Sequence, residues 1–238
     1  MTGPRLEGRV LVTGAAGMLG SQLLLSAPRG VEAVGTDLVG APAGNPAVAR
    51  AGVDLSARAA VEALLAELAP LAGVIHGAAY TAVDKAEAEE SRAELANAHV
   101  APVVAAACAH HGIPLVHVST DFVFDGSKRT PYTSADAPRP LSAYGRTKLH
   151  GEERVAEAHP RGAAVVRTQW LYGPRGKHFP GTILALAAEK PELKVVNDQI
   201  GSPTSTLELA PALWDVLAAR ATGLFHAACE GRASWYEF

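Results

Sequence analysis

Cysteine is nearly missing from this chain: Cys108 and Cys229 are the only 2 in 238 residues, far apart and in no Cys-x-x-Cys pair. That excludes a disulfide framework. With no histidine spacing suited to zinc, no metal site is expected either; the adjacent His110 and His111 suit a solvated helix end. Apolar runs are all too short to span a bilayer. Lys and Arg are scattered and the net charge is −3, so neither a nucleic-acid stripe nor a cationic membrane-binding face is present. Repeats are absent, and the only compositional bias is a general richness in alanine. A strand-like segment already begins at Gly8, leaving no room for a signal peptide. These absences point to a cytoplasmic protein working on a small molecule rather than on nucleic acid or membrane.

What is present is a large apolar fraction, 48% of residues, in a chain long for one small domain and short for two. Short apolar runs alternate with helix-period segments, which argues for βαβ units in an α/β fold: a Rossmann-type doubly wound parallel sheet. Strands are expected at Arg9–Thr13, Val31–Thr36, Gly73–Ala78, within "IPLVHVST", "AAVVRTQW" and "GLFHAA". Ser56 reads as the N-cap of one helix, Ser91 with Glu94 as a capping box for another, and Ser205 with Glu208 for a third. Pro102 is expected to kink or break the second of these.

Beyond Trp170 the pattern changes. "YGPRGKHFPG" and "KVVNDQIGSPT" are loop-like pieces around one helix, the mark of a site-forming lobe. The division expected is a dinucleotide-binding unit of residues 1–170 plus 204–228, and a small substrate lobe of 171–203 and 229–238. The last residues, "SWYEF", carry Ser234 and Glu237 at capping-box spacing with no helix body after them, from which a truncated C-terminus is expected. The alternative is an aromatic tail that packs on the core.

"VLVTGAAGMLG" sets glycines at 14, 17 and 20 between a strand and a helix that starts near Met18 and Leu19. Gly14 allows the sharp turn, Gly17 lets backbone approach a diphosphate, and Gly20 lets the helix pack on the sheet. The diphosphate would then face the N–H groups and positive dipole end of the helix. Asp37 ends the second strand, where a carboxylate accepts ribose hydroxyls and repels a 2′-phosphate. That favours NADH over NADPH, although a nearby arginine could rescue the phosphate. Asp54 and the adjoining Leu55 could sit beside the adenine; Asp54 could equally be a helix N-terminal carboxylate with no ligand.

Tyr144 and Lys148 stand four positions apart in "AYGRTKLHGE". On a helix they share one face. A free phenol titrates near roughly 10, and a neighbouring ammonium favours the phenolate.

Together with "GAAYTAVDKAEAE" (77–89), "VSTDFVFDG" (118–126), "RTQWLYG" (167–173) and "VNDQIGSPT" (196–204), these motifs run in order over nearly the whole chain. The sequence resembles the dTDP-4-dehydrorhamnose reductase family of extended short-chain dehydrogenases/reductases. The resemblance implies hydride transfer from NADH or NADPH to the C4 ketone of a 6-deoxyhexulose on a nucleotide, with Tyr144 donating the proton. It implies that Lys148 also holds the nicotinamide ribose and that Thr120 bonds the tyrosine and the sugar's reacting oxygen, a place Ser119 could take instead. By the same resemblance Ala79, Tyr80 and Thr81 contact the cofactor's middle, Val83 lines the sugar pocket and Trp170 packs on the sugar, unless its indole is a core group at a strand end. Asp121 either binds a sugar hydroxyl or caps its loop. The partner implied is a nucleotide sugar, with a homodimer left open.

Arg167 reads as a structural ion-pair residue and His117 as a core histidine. Phe122 stands where the family commonly has tyrosine, and His76 and Gly77 where it often has Asn and Ala. Two rival readings remain open here: another sugar-nucleotide reductase or epimerase, and a non-catalytic subunit on the same fold.

Overall fold

The computed structural model describes residues 5–40 and 49–238. The chain begins with β1 (Gly8–Thr13), α1 (Met18–Leu25), β2 (Val31–Asp37), β3 (Arg50–Ala51), α2 (Arg58–Leu68) and β4 (Leu71–His76). Two short helices, α3 (Val83–Ala86) and α4 (Glu90–Glu94), and a π turn over Leu95–His99 lead into α5 (Val100–His110), β5 (Leu115–Thr120) and a 3-10 turn over Asp121–Val123. Then come α6 (Ala143–Ala158), β6 (Ala163–Thr168), β7 (Leu171–Tyr172) and α7 (Phe179–Glu189). The remainder is β8 (Ile200–Gly201), β9 (Thr204–Ser205), α8 (Thr206–Ala218), β10 (Gly223–His226) and β11 (Ala233–Ser234).

Seven strands form one sheet in the order β10-β6-β5-β4-β1-β2-β3, with every pairing parallel. Alternation along the strands sends Leu11, Val74, Leu115 and Val165 into the core under α2, α5 and α6. Val10, Val12, Ile75, Val116 and Val166 face the other core, against α1 and α8. Burial on both faces is why these strands read as continuous apolar runs. This is the doubly wound fold expected from the sequence. Chain progression reverses between β1 and β4, so the crevice for a ligand opens beyond the carboxyl ends of those strands.

Three local features differ from expectation. Ser56 does not cap α2: Asp54 Oδ1 accepts both its N–H and its hydroxyl, at 2.9 and 2.7 Å, and Ala57 is the N-cap. A tight side-chain turn has outcompeted the cap. Ser91 and Glu94 form no capping box, because α4 has already begun at Glu90. The break expected at Pro102 falls earlier, as the π turn before α5. Proline has no N–H to give to the carbonyl four residues back, and Arg154 Nη1 supplies that bond to Ala98 O at 2.8 Å.

Past β6, two small two-stranded sheets form, β7 with β9 and β11 with β8. The second brings Ala233 and Ser234 antiparallel to Gly201 and Ile200. The capping box read at the C-terminus is closed: Ser234 N–H donates to Glu237 Oε2 at 2.7 Å, and Glu237 N–H to Ser234 Oγ at 3.1 Å. Among the described residues, no helix is long and apolar enough to cross a membrane.

Candidate active site

Gly14 adopts φ +70°, and a Cβ there would lie 2.7 Å from Ala78 N. A Cβ on Gly20 would collide with Gly14 O, whereas one on Gly17 would meet only that same oxygen, at 3.2 Å. The turn is therefore as tight as the glycine spacing demands, with Gly17 left as the approachable backbone. Helix α1 starts at Met18 and Leu19 with no side-chain cap and no acidic residue in its first turn. An uncapped, acid-free helix start fits a diphosphate.

Asp37 sits beside this turn. Its Oδ2 accepts the Ala16 N–H at 3.0 Å and its Oδ1 the Val39 N–H at 3.4 Å. The carboxylate thus ties β2 to the glycine turn. Asp54 is bonded to Ser56 in the turn before α2. The Leu55 side chain is buried in the core under α2, so only its backbone faces outward chemistry.

Tyr144 is 9% exposed and lies in the first turn of α6, whose N-cap Ser142 accepts the Gly145 N–H. Glu87, from the "DKAEAEE" run, also holds that helix start: its Oε1 accepts the Ala143 N–H at 2.7 Å, a carboxylate at the positive end of the dipole. The Thr120 hydroxyl lies beside the phenol and favours its ionised form. Thr120 Oγ1 in turn donates to Asp121 Oδ1 at 3.1 Å and accepts the Phe122 N–H at 3.2 Å. Tyr80 and Val83 pack against the cluster of Ala86, Ala93, Ala143 and Tyr144, and Phe122 meets the Tyr144 ring edge-on at 5.6 Å. Thr120, Asp121, Tyr144, Tyr80 and Val83 are thus gathered around one phenol, as expected. Ala79 and Thr81 line the loop after β4.

Lys148 is 2% exposed and donates from Nζ to Val118 O at 2.7 Å. Burial pushes the ammonium down to about 8, opposed by the Glu152 carboxylate. Tyr144 departs from expectation. Burial pushes its phenol up to about 12, with the Thr120 hydrogen bond lowering it and the Asp121 charge raising it. Desolvation outweighs the Thr120 contribution, so the phenol keeps its proton at neutral pH, as a proton donor requires. Asp121 is itself pushed up by burial to about 6.

Several residues here escaped sequence reasoning. Asn97, in the π turn, clamps the loop after β4: it accepts the Tyr80 N–H at 2.8 Å and donates to Tyr80 O at 3.2 Å and Thr147 Oγ1 at 3.1 Å. Glu89 accepts the Tyr80 hydroxyl at 3.0 Å. Under α6, Thr13 Oγ1 and His76 Nδ1 are 2.7 Å apart, and His76 stacks at 5.3 Å on His117, which is buried as the core histidine expected from the sequence. Away from the crevice, His111 and His110 lie 2.7 and 3.6 Å from Glu62 as surface ion pairs.

Trp170 has not joined the group around Tyr144. Its backbone is left-handed, φ +47°, and its indole stacks on Trp235 with ring centres 3.6 Å apart and planes at 12°.

Residues 8–238 match the family model described as the RmlD substrate binding domain. The chain belongs to this family. Among RmlD-type relatives, the dTDP-4-dehydrorhamnose reductase of Sinorhizobium fredii is 37% identical over 237 residues, covering 97% of this chain and 75% of that protein. The dTDP-4-keto-6-deoxy-D-glucose reductase of Streptomyces niveus is 39% identical over 98% of this chain and 76% of its own length. The crystal structure of the Bacillus anthracis dTDP-4-dehydrorhamnose reductase in complex with NADP superposes with a TM-score of 0.87 at 35% identity, covering 98% of this chain and 79% of that one. A UDP-glucose 4-epimerase from Brucella ovis, 22% identical with a TM-score of 0.82, shares the fold.

Proposed function

We propose that this protein reduces the C4 ketone of dTDP-6-deoxy-L-lyxo-4-hexulose (dTDP-4-dehydrorhamnose) to give dTDP-L-rhamnose. It is an oxidoreductase that uses a nicotinamide cofactor. The observation carrying the reading is the placement of the buried Tyr144 phenol beside Thr120 at the carboxyl end of β5, with Lys148 one helical turn on. The substrate comes from the reductases this chain resembles over nearly its whole length.

Residues 1–170 with 204–228 hold the dinucleotide, and 171–203 with 229–238 the nucleotide sugar. Gly14, Gly17, Met18, Leu19 and Gly20 receive the diphosphate, Asp37 the adenosine ribose, and Ala79, Tyr80 and Thr81 the middle of the cofactor. Asp37 makes NADH the preferred form, since its charge repels a 2′-phosphate. When bound, the reduced nicotinamide supplies a hydride to the sugar's C4. Tyr144 gives its proton to the C4 oxygen as negative charge develops there. The phenolate left behind is stabilised by the Lys148 ammonium and by the Thr120 hydroxyl turning to donate. Val83 and Asp121 line the sugar's side of the crevice, and burial of this group of side chains excludes water.

A second reading, reduction of a ketosugar of different configuration, is favoured by the Streptomyces niveus relative and by Phe122 in the place of a tyrosine. Incubation with NADH and the L-lyxo ketosugar, followed by absorbance and by NMR of the product, decides between them. Net NADH consumption with dTDP-L-rhamnose formed supports the first reading. Consumption only with another ketosugar supports the second, and no consumption with either cofactor overturns both.

A further inference from the structure

The "VNDQIGSPT" segment has no chemistry assigned above, yet it is laced to residues 231–236 by several hydrogen bonds. Val196 O accepts the Tyr236 N–H at 3.0 Å, Asn197 Oδ1 accepts the Ser234 hydroxyl at 2.5 Å, and Gln199 Oε1 accepts the Trp235 indole N–H at 3.2 Å. Ile200 and Gly201 pair with Ser234 and Ala233, and Ser202 Oγ donates to Gly231 O at 2.7 Å. What this lacing holds in place is Trp235, stacked on Trp170.

The other face of Trp170 is also covered. A Cβ on Gly201 would lie 2.5 Å from Trp170 Cε2 and 2.8 Å from Cζ2, with no atom of Trp235 nearer. Since Trp235 overlies the indole almost ring on ring, Gly201 must approach from the opposite side. Only a residue without a side chain fits there. Phe179 adds a tilted contact to Trp235 at 4.6 Å. Trp170 meanwhile keeps a left-handed backbone that a bulky aromatic residue rarely adopts, its carbonyl accepting the Thr204 N–H at 3.2 Å. It stands two residues past Thr168, the cross-strand neighbour of Thr120. A strained, clasped aromatic residue thus stands two residues beyond the strand end that neighbours Thr120.

We propose that Trp235 is a positioning residue for the nucleotide-sugar substrate. Stacking on Trp235 with Gly201 close to the other face holds the indole in one orientation, as a preformed wall against which the sugar is placed. This inference rests on the reductase reading above.

The test compares wild type, Trp235→Ala and Trp235→Phe in steady-state kinetics, with ultraviolet circular dichroism reporting the exciton-split band of two stacked indoles. Trp235→Ala should raise KM for the nucleotide sugar about tenfold or more with kcat and the KM for NADH little changed, because a ground-state contact has been loosened while the proton donor is intact. Trp235→Phe should lose the indole band yet restore KM to within about threefold of wild type, since a flat ring still covers Trp170. A Trp235→Ala protein that loses the band and keeps the wild-type KM overturns the inference. Should that variant fail to unfold cooperatively, Gln199→Leu, which cuts only the indole N–H bond, carries the test: a raised KM is expected and an unchanged one overturns it. Failure of the wild-type protein to consume NADH overturns the functional reading and this inference together, whereas an unchanged KM in an active variant falls on this inference alone.

Discussion

Arg167 and Glu152 form a buried bidentate ion pair, with Nε 2.9 Å and Nη2 2.6 Å from the carboxylate oxygens, joining β6 to α6 one turn beyond Lys148. The guanidinium also lies over the Phe124 ring at 5.0 Å. Removing one partner leaves a desolvated charge with nothing to balance it. Glu152→Ala should therefore destabilise the fold by about 3–5 kcal/mol in urea denaturation, and Glu152→Ala with Arg167→Met by clearly less.

His76 and His117 make stability fall in acid. Burial holds His76 down to about 3 and His117 well below its ordinary value, each also repelled by the Lys148 charge. Both bind a proton in the unfolded chain before they do in the folded one. Stability is thus present above about pH 6.5, and each unit below costs roughly 1.4 kcal/mol per histidine. Asp121 works the other way below about 6, one group against two. Below pH 6 the net slope is thus about that of one histidine, so denaturation midpoints measured from pH 7 to pH 4.5 should fall, and His117→Leu, in which Asp121 offsets the remaining His76, should show little of that fall.

Asp121 gives the opposite sign at neutral pH. Its folded-state value, raised to about 6 by burial, means that stability is fully present below the ordinary carboxyl range and is lost as pH rises through 6. At pH 7.5 the buried charge is fully expressed. Asp121→Asn should raise stability there by roughly 1–3 kcal/mol, and the gain should vanish near pH 3. Thermal unfolding at both pH values checks it.

Asp37 decides the choice of cofactor in this account. Asp37→Ala should lower kcat/KM for NADH and shift the NADPH-to-NADH ratio at least about tenfold toward NADPH, since the repelling carboxylate is gone. A ratio that stays put would remove Asp37 from cofactor selection. The same variant loses the bond to Ala16 N and should be slightly less stable.

The parts legible in the sequence were those whose physics is local. Glycines at 14, 17 and 20 announce a tight turn because only small residues fit there, and the spacing of Tyr144 and Lys148 announces a shared helix face. Arg167 was legible too, as an ion-pair residue at a strand end. Groups that meet through strand register were not. His76 and His117 stack because β4 and β5 pair at those positions, and Asn97 reaches Tyr80 because a π turn rotates it inward. Ser56 misled for the same reason in reverse, since Asp54 competes for its hydroxyl. Tyr144 and Lys148 do share one helix, but the direction of the phenol's shift differs from that expected: helix spacing is visible in a sequence and depth of burial is not.

The most direct measurement is NADH oxidation by wild type and Tyr144→Phe with dTDP-6-deoxy-L-lyxo-4-hexulose, alongside NADH binding to each. The account predicts that kcat falls by about two to four orders of magnitude while cofactor affinity holds. Turnover that survives the loss of the hydroxyl unchanged would contradict it.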